Sequence, residues 1–221
     1  MITVHHLNNS RSQRVLWLLE ELQVPYEVRR YQRDSKTMLA PPELKAIHPL
    51  GKSPILTDSG QVIAESGAII EYLLEKYGEG RLRPAKGTPE ALRFTYWLHY
   101  AEGSAMTPLL LSLIFTRMPK QPMPFFMKPL IQGISDKVMS AFVRPQVKLH
   151  MDYMESELTK FSWFAGPEFS AADIQMSFPV EGALTRGSQS YPRMADFLKR
   201  IQSRPAYQKA MEVGGPFELI S

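Results

Sequence analysis

The chain has 221 residues, 44% of them hydrophobic and 22% charged, which suits one large or two small globular units with a sizeable core. It contains no cysteine, so disulfides, cysteine metal sites and a cysteine nucleophile are excluded. Its net charge of +4 comes from bases scattered along the chain rather than gathered in a stripe, which argues against a nucleic-acid partner.

Met1 to Leu7 reads as a strand, with Ile2, Val4 and His6 on one face and Thr3 and His5 on the other. No basic leader precedes it, and the apolar run 109–115 is far too short to cross a bilayer, so a cytoplasmic protein without a membrane partner is expected. Val15, Leu16, Leu18, Leu19 and Leu22 then recur at helical spacing, in a helix that begins between Ser10 and Ser12. Pro25 stops it, and Tyr26 to Tyr31 alternates as a second strand, so the opening is βαβ with a parallel pair. Pro41-Pro42 and a short helix up to His48 lead to Gly51-Lys52-Ser53-Pro54-Ile55-Leu56. Here a proline stands at the mouth of a short apolar strand, as an edge, a turn or a cis bond. Asp58-Ser59-Gly60-Gln61 is a hairpin turn between this strand and Val62–Ala64. Glu65 and Ser66 open an apolar-periodic helix that runs to Tyr77 and ends on Gly78, a fitting C′ residue.

From residue 79 the character changes. Residues 79–87, with glycines, Pro84 and mixed charges, read as a linker between a unit over 1–78 and a helical unit over 88–221. Helical spacing runs from Thr88 to Phe115, and Pro119, Pro122, Pro124 and Pro129 then interrupt it. A long helix from about Leu130 to Phe161, bent near Pro145, is followed by helices over 170–184 and 192–203, with Pro205 placed after the last. The fold class is therefore α/β plus all-α: a thioredoxin-like βαβ-α-ββα unit followed by a helical bundle.

Free backbone N–H groups at the start of a helix collect anions, and a strand edge pairs with extended backbone. Ser53-Pro54 and Glu65-Ser66 thus describe a place to hold a small peptide. With Ser10 to Arg14 at the first helix and Ser170-Ala171-Ala172-Asp173 as a capping box, four motifs stand in register. In these the chain resembles the glutathione S-transferase family over nearly its whole length, with the serine-type bacterial and fungal enzymes nearest and theta class more distant. The resemblance implies a transferase that holds the glutathione thiol as a thiolate and adds it to a small apolar electrophile, or reduces an organic peroxide. It also implies a homodimer and a role in detoxification. A non-catalytic binding or regulatory protein on the same scaffold, or a glutathione-dependent disulfide reductase, are the alternatives.

Counted back from Arg14, Ser10 matches the catalytic serine of the theta-like enzymes. The position of the phenol in tyrosine-type classes is Asn8 here. A plain helix cap is the competing role for Ser10, and Ser12, Asn9 and Arg11 are competing or supporting groups at the sulfur. By the same resemblance Ser53, before Pro54, pairs with the cysteinyl backbone, and Glu65 takes the γ-glutamyl ammonium. Ser66 and its helix start take the γ-glutamyl carboxylate, and Lys52 reaches the glycyl carboxylate.

Gly51-Lys52-Ser53 also mimics the tail of a phosphate loop, but Ala46 stands where that loop needs glycine and Pro54 forbids the following helix. Asn8-Asn9-Ser10 matches a glycosylation acceptor by accident. Five histidines show no ligand spacing, so no metal is expected. Tyr96, Tyr100, Met106, Phe115, Met118 and Phe125-Phe126-Met127 offer aromatic and deformable apolar surface for the second substrate. The proline-interrupted insertion at 119–129 is expected to lid that site.

Overall fold

The first strand, β1 (Ile2–Leu7), lies at the centre of the structure, and the chain returns to both of its sides. The computed structural model describes residues 1–34, 37, 39–185 and 191–215. After β1 come α1 (Ser12–Leu22), β2 (Tyr26–Tyr31), α2 (Pro42–Ile47), β3 (Ile55–Asp58), β4 (Gln61–Ala64) and α3 (Ser66–Tyr77). The strands form one mixed sheet in the order β2-β1-β3-β4. β1 runs parallel to β2, with Ile2 opposite Tyr26 and Leu7 opposite Tyr31. It runs antiparallel to β3, with Ile2 opposite Asp58, and this ladder stops at His5–Ile55. Beyond its end stands Ser53, joined to Pro54 by a cis peptide bond. The β3–β4 hairpin closes at Asp58–Gln61 through Ser59 and Gly60, both with positive φ, as a two-residue loop that matches the strand twist requires.

Asp58 does more than end a strand. It is 2% exposed and accepts hydrogen bonds from Lys76 Nζ (2.7 Å), Tyr72 OH (2.8 Å), Tyr77 OH (2.5 Å) and Ser59 Oγ (3.0 Å). Burial pushes its carboxyl up, but the four donors outweigh burial and hold it far below the usual carboxylate range. The hairpin is thereby tied to the last turn of α3. That turn ends on Gly78, which keeps right-handed backbone (φ −74) because its N–H still bonds to Leu74 O in helical fashion. The left-handed step falls on Glu79 and Gly80 instead.

The second half is helical: α4 (Pro89–Tyr100), α5 (Met106–Arg117), α6 (Lys128–Val138), α7 (Arg144–Lys160), α8 (Ala171–Leu184), α9 (Pro192–Gln202) and α10 (Pro205–Gly214). α4 and α5 form one rod through a π-helical turn at Ala101–Ala105, and α6 and α7 another through a π turn at Met139–Val143. Each π turn lies just ahead of a proline, Pro108 or Pro145, which has no N–H and crowds the carbonyl four residues back. The bend expected near Pro145 is thus carried by the preceding turn, and Pro108 makes a second one. The insertion between the rods holds two short 3₁₀ turns, Met118–Lys120 and Phe125–Met127. Pro205 does not close the structure, as its place after 192–203 suggests; it opens α10 as the N1 residue, the first-turn position where a missing N–H costs nothing.

α1 is buried on every side from Ser12 to Leu19, as a helix between a sheet and other helices must be. Trp17 meets the edge of Tyr207 of α10, and Gln13 Nε2 donates to Ala210 O at 2.6 Å. One apolar core runs from Ile2 and Val4 through Leu16, Leu18 and Leu19 to Trp97, Ile174 and Phe197, so the two halves share it. Ser170 and Asp173 close a capping box at α8. The fully buried Asp173 accepts from Phe164 N (2.8 Å), Ser170 N (2.9 Å) and Ser170 Oγ (3.1 Å).

Candidate active site

The chain leaves β1 at Leu7 and must turn onto α1 within four residues. Asn8 N–H continues the ladder to Tyr31 O, and Asn9 takes positive φ. Ser10 then starts the first turn, with its carbonyl accepting from Gln13 N and its Oγ accepting from Ser12 N at 3.2 Å. Ser10, one residue ahead of the N-cap Arg11, therefore holds the first helical N–H with an oxygen lone pair. A cap uses no hydroxyl hydrogen, so the capping role and a donor role coexist in one side chain.

Ser10 opens on a cavity of about 640 Å³ between the two halves. Leu7, Asn9, Ser10, Arg11, Arg33, Gly51, Lys52 and Ser53 line it from the first half, and Glu102, Met106, Leu109, Leu110, Leu113 and Phe178 from the second. Ser53 Oγ lies 3.0 Å from Ser10 Oγ, bringing the loop before β3 against the start of α1. Ser12 does not line the cavity. It is fully buried, with its Oγ 2.7 Å from Ser10 Oγ and 2.9 Å from His6 Nδ1. Arg11 faces the cavity, but Glu102 takes its Nε at 2.6 Å and Phe178 stacks under its guanidinium.

Glu65 and Ser66 sit apart from the cavity lining, at the start of α3. Glu65 is exposed and strained at φ 70, a conformation that costs a non-glycine residue on the order of 1–3 kcal/mol. Ser66 is buried, donates to Glu102 Oε1 at 3.3 Å and accepts from Gln175 Nε2 at 3.0 Å. Glu102 thus joins the α3 start to Arg11 and to the cavity. Pro54 is buried behind Ser53 and does not line the cavity, and Lys52 is exposed at its rim. Among the described residues no group of acidic or histidine side chains could hold a metal ion, and no helix is long and apolar enough to cross a membrane.

Two cavity residues have no signal in the sequence. Glu102 lies in a π turn and Arg33 in a loop, where Arg33 binds Asn8 O (3.2 Å) and takes Asn8 Oδ1 on its own N–H (2.9 Å). Of the residues expected at the second-substrate site, Met106 lines the cavity. Tyr100 is buried against Trp97 and His150, and Tyr96, Phe115, Met118, Phe125, Phe126 and Met127 lie outside the lining. Phe125 and Phe126 are 84% and 68% exposed, so the insertion does not lid the cavity in this structure.

Residues 1–75 match the family profile of the glutathione S-transferase N-terminal domain. Glutathione S-transferase 1 of Saccharomyces cerevisiae is 36% identical, over 98% of this chain and 98% of its own length. The chain belongs to the glutathione S-transferase family. A crystal structure of a glutathione S-transferase from Actinobacillus pleuropneumoniae superposes with a TM-score of 0.80 at 35% identity, covering 97% of this chain and 93% of that one. The glutathione transferase URE2P6 from Phanerochaete chrysosporium, solved with oxidised glutathione, gives a TM-score of 0.75 at 25% identity over 96% of both chains. This chain is therefore a transferase with the glutathione transferase fold: a thioredoxin-like half followed by a helical half.

Proposed function

We propose that this transferase activates the thiol of glutathione at Ser10 and adds it to small apolar electrophiles, with organic peroxides as a second substrate class. The observation that carries the reading is Ser10 itself. Its hydroxyl sits at the cavity wall and at a helix start, with its oxygen accepting from Ser12 N–H and lying 3.0 Å from Ser53 Oγ. A thiol of ordinary pKa near 8.5 is mostly protonated at neutral pH, and each unit of depression needs about 1.4 kcal/mol of anion stabilisation. One hydroxyl hydrogen bond to sulfur and the N-terminal end of α1 together supply roughly 2–3 kcal/mol. Asn9 and the cation of Arg11 support the same anion from the loop, and Ser12 acts only through Ser10.

The rest of glutathione follows from the chemistry of each group. Ser53, two residues from the end of the β1–β3 ladder, offers its backbone to the cysteinyl residue, and cis Pro54 aims it. The first-turn N–H groups of α3 and Ser66 take the γ-glutamyl carboxylate, Glu65 takes its ammonium, and Lys52 takes the glycyl carboxylate. The electrophile packs on Met106, Leu109, Leu110, Leu113 and Phe178, an apolar patch edged by Glu102, Thr107, Arg117 and Thr185. Folding units of 1–78 and 88–221 joined by 79–87, a cytoplasmic homodimer and a detoxifying role complete the reading. The exposed Leu92 and Tyr96 on one face of α4 support the dimer. The test is calorimetric titration with glutathione alongside turnover of a chromogenic electrophile. Ser10→Ala keeps glutathione affinity within about threefold and loses most turnover; full turnover in that variant would overturn the assignment.

A further inference from the structure

His6 ends a buried chain of hydroxyls that starts in the cavity. Ser10 Oγ is 2.7 Å from Ser12 Oγ, and Ser12 Oγ is 2.9 Å from His6 Nδ1. The three residues are 5%, 0% and 4% exposed, so the chain is closed to solvent except at Ser10. The end of α10 approaches the ring from the other side, where the Gly214 backbone acts to raise its pKa. In the neutral tautomer whose Nδ1 carries no hydrogen, that nitrogen accepts from Ser12 Oγ.

We propose that His6 receives the proton of the glutathione thiol through Ser10 and Ser12, and so positions Ser10 as a donor to the thiolate. The proposal rests on Ser10 facing the sulfur. In the step, the S–H bond breaks and its proton passes to Ser10 Oγ. The Ser10 proton moves to Ser12 Oγ, and the Ser12 proton forms the N–H bond at His6 Nδ1. One thiolate and one imidazolium result, with no change in net charge. Every hydrogen bond in the chain is then reversed: His6 donates to Ser12, Ser12 to Ser10, and Ser10 to sulfur.

The groups facing His6 fit a base that is neutral at rest. Burial and the Arg30 guanidinium, opposite it in register on β2, hold the ring below the ordinary histidine range, while the Gly214 backbone from α10 pulls the other way. Ser12 meets it from α1. The anion at the other end of the chain supplies the missing counter-charge, and when the sulfur spends that charge on the electrophile the His6 proton passes back along the chain to the leaving group or to the anion of the adduct. A histidine kept only to fill space and hold Ser12 needs no change of protonation.

The test follows the His6 ring by NMR against pH, with and without glutathione. The pKa of His6 rises by at least one unit on glutathione binding, and Ser12→Ala, which cuts the chain but leaves the ring, abolishes that rise. His6→Asn keeps an acceptor near the Nδ1 position but takes no proton; its fraction of bound thiolate near pH 6.5 falls about tenfold while glutathione affinity stays within threefold. A His6 titration that ignores glutathione, or a thiolate profile for His6→Asn that overlays the native one, overturns the relay. If Ser10→Ala also leaves the thiolate profile unmoved, the placement of the sulfur falls with it; if Ser10→Ala shifts the profile, the relay alone fails.

Discussion

Replacing Asp58 by Asn removes one charge at a point where four donors converge, and the cost can be worked from the contacts. Oδ2 accepts from Lys76, Tyr72 and Tyr77, and Oδ1 from Ser59. An amide presents one acceptor oxygen and one NH₂: turned one way the NH₂ meets the Lys76 ammonium, and turned the other it leaves three donors a neutral oxygen in place of a carboxylate. Hydrogen bonds to a charged acceptor contribute about 1.5–3 kcal/mol each and do not add fully when they share an atom. Asp58→Asn should therefore destabilise by about 3–4 kcal/mol at pH 7, near the upper end for a single substitution. The pH dependence has a definite sign. The folded carboxyl lies below its unfolded value near 3.9, so its contribution is complete above that value and is lost as pH falls below it. Urea unfolding of native protein and variant at pH 7 and pH 3 reads both effects, with the gap smaller at pH 3. A gap under about 1 kcal/mol at pH 7, or one that widens toward pH 3, would refute the reasoning.

Three further predictions concern the α3 start, the Arg11–Glu102 pair and the α8 cap. Glu65→Ala or Ser66→Ala should weaken glutathione binding severalfold or more by calorimetry, since each leaves a charged group of the ligand unpaired; unchanged affinity in both would place the peptide elsewhere. Glu102→Gln removes the counter-ion of Arg11, and the freed cation should lower the apparent pKa of the bound thiol by a few tenths of a unit in the turnover profile. Asp173→Ala strips the partners of Phe164 N and Ser170 N inside the core and should cost about 3–4 kcal/mol in urea unfolding.

What was legible in the sequence was local. Asp58-Ser59-Gly60-Gln61 carries its own turn chemistry, Ser170-x-x-Asp173 its own cap, and the apolar spacing of Val15 to Leu22 its own helix. Ser10, Ser53 and Lys52 lie within short motifs, and the fold brings them to one cavity. The errors are also physical. Pro205 looks like a terminator, but a proline suits the first turn of a helix as well as its end; Gly78 does end α3, though with right-handed backbone. Glu102 and Arg33 reach the site only through long-range packing, and Asp58 gathers donors from a helix more than a dozen residues on. His6 faces the core side of β1, where the alternation of the strand marks it as filler. Only its distance to Ser12 gives it another part.

Activation of the thiol by Ser10 is tested most directly by the ultraviolet absorbance of bound glutathione against pH, in the native protein and in Ser10→Ala. The account predicts thiolate already present near neutral pH in the native complex, and an apparent pKa about one unit higher in the variant, the equivalent of about 1.4 kcal/mol for the lost hydroxyl bond. Two superposable curves would contradict it.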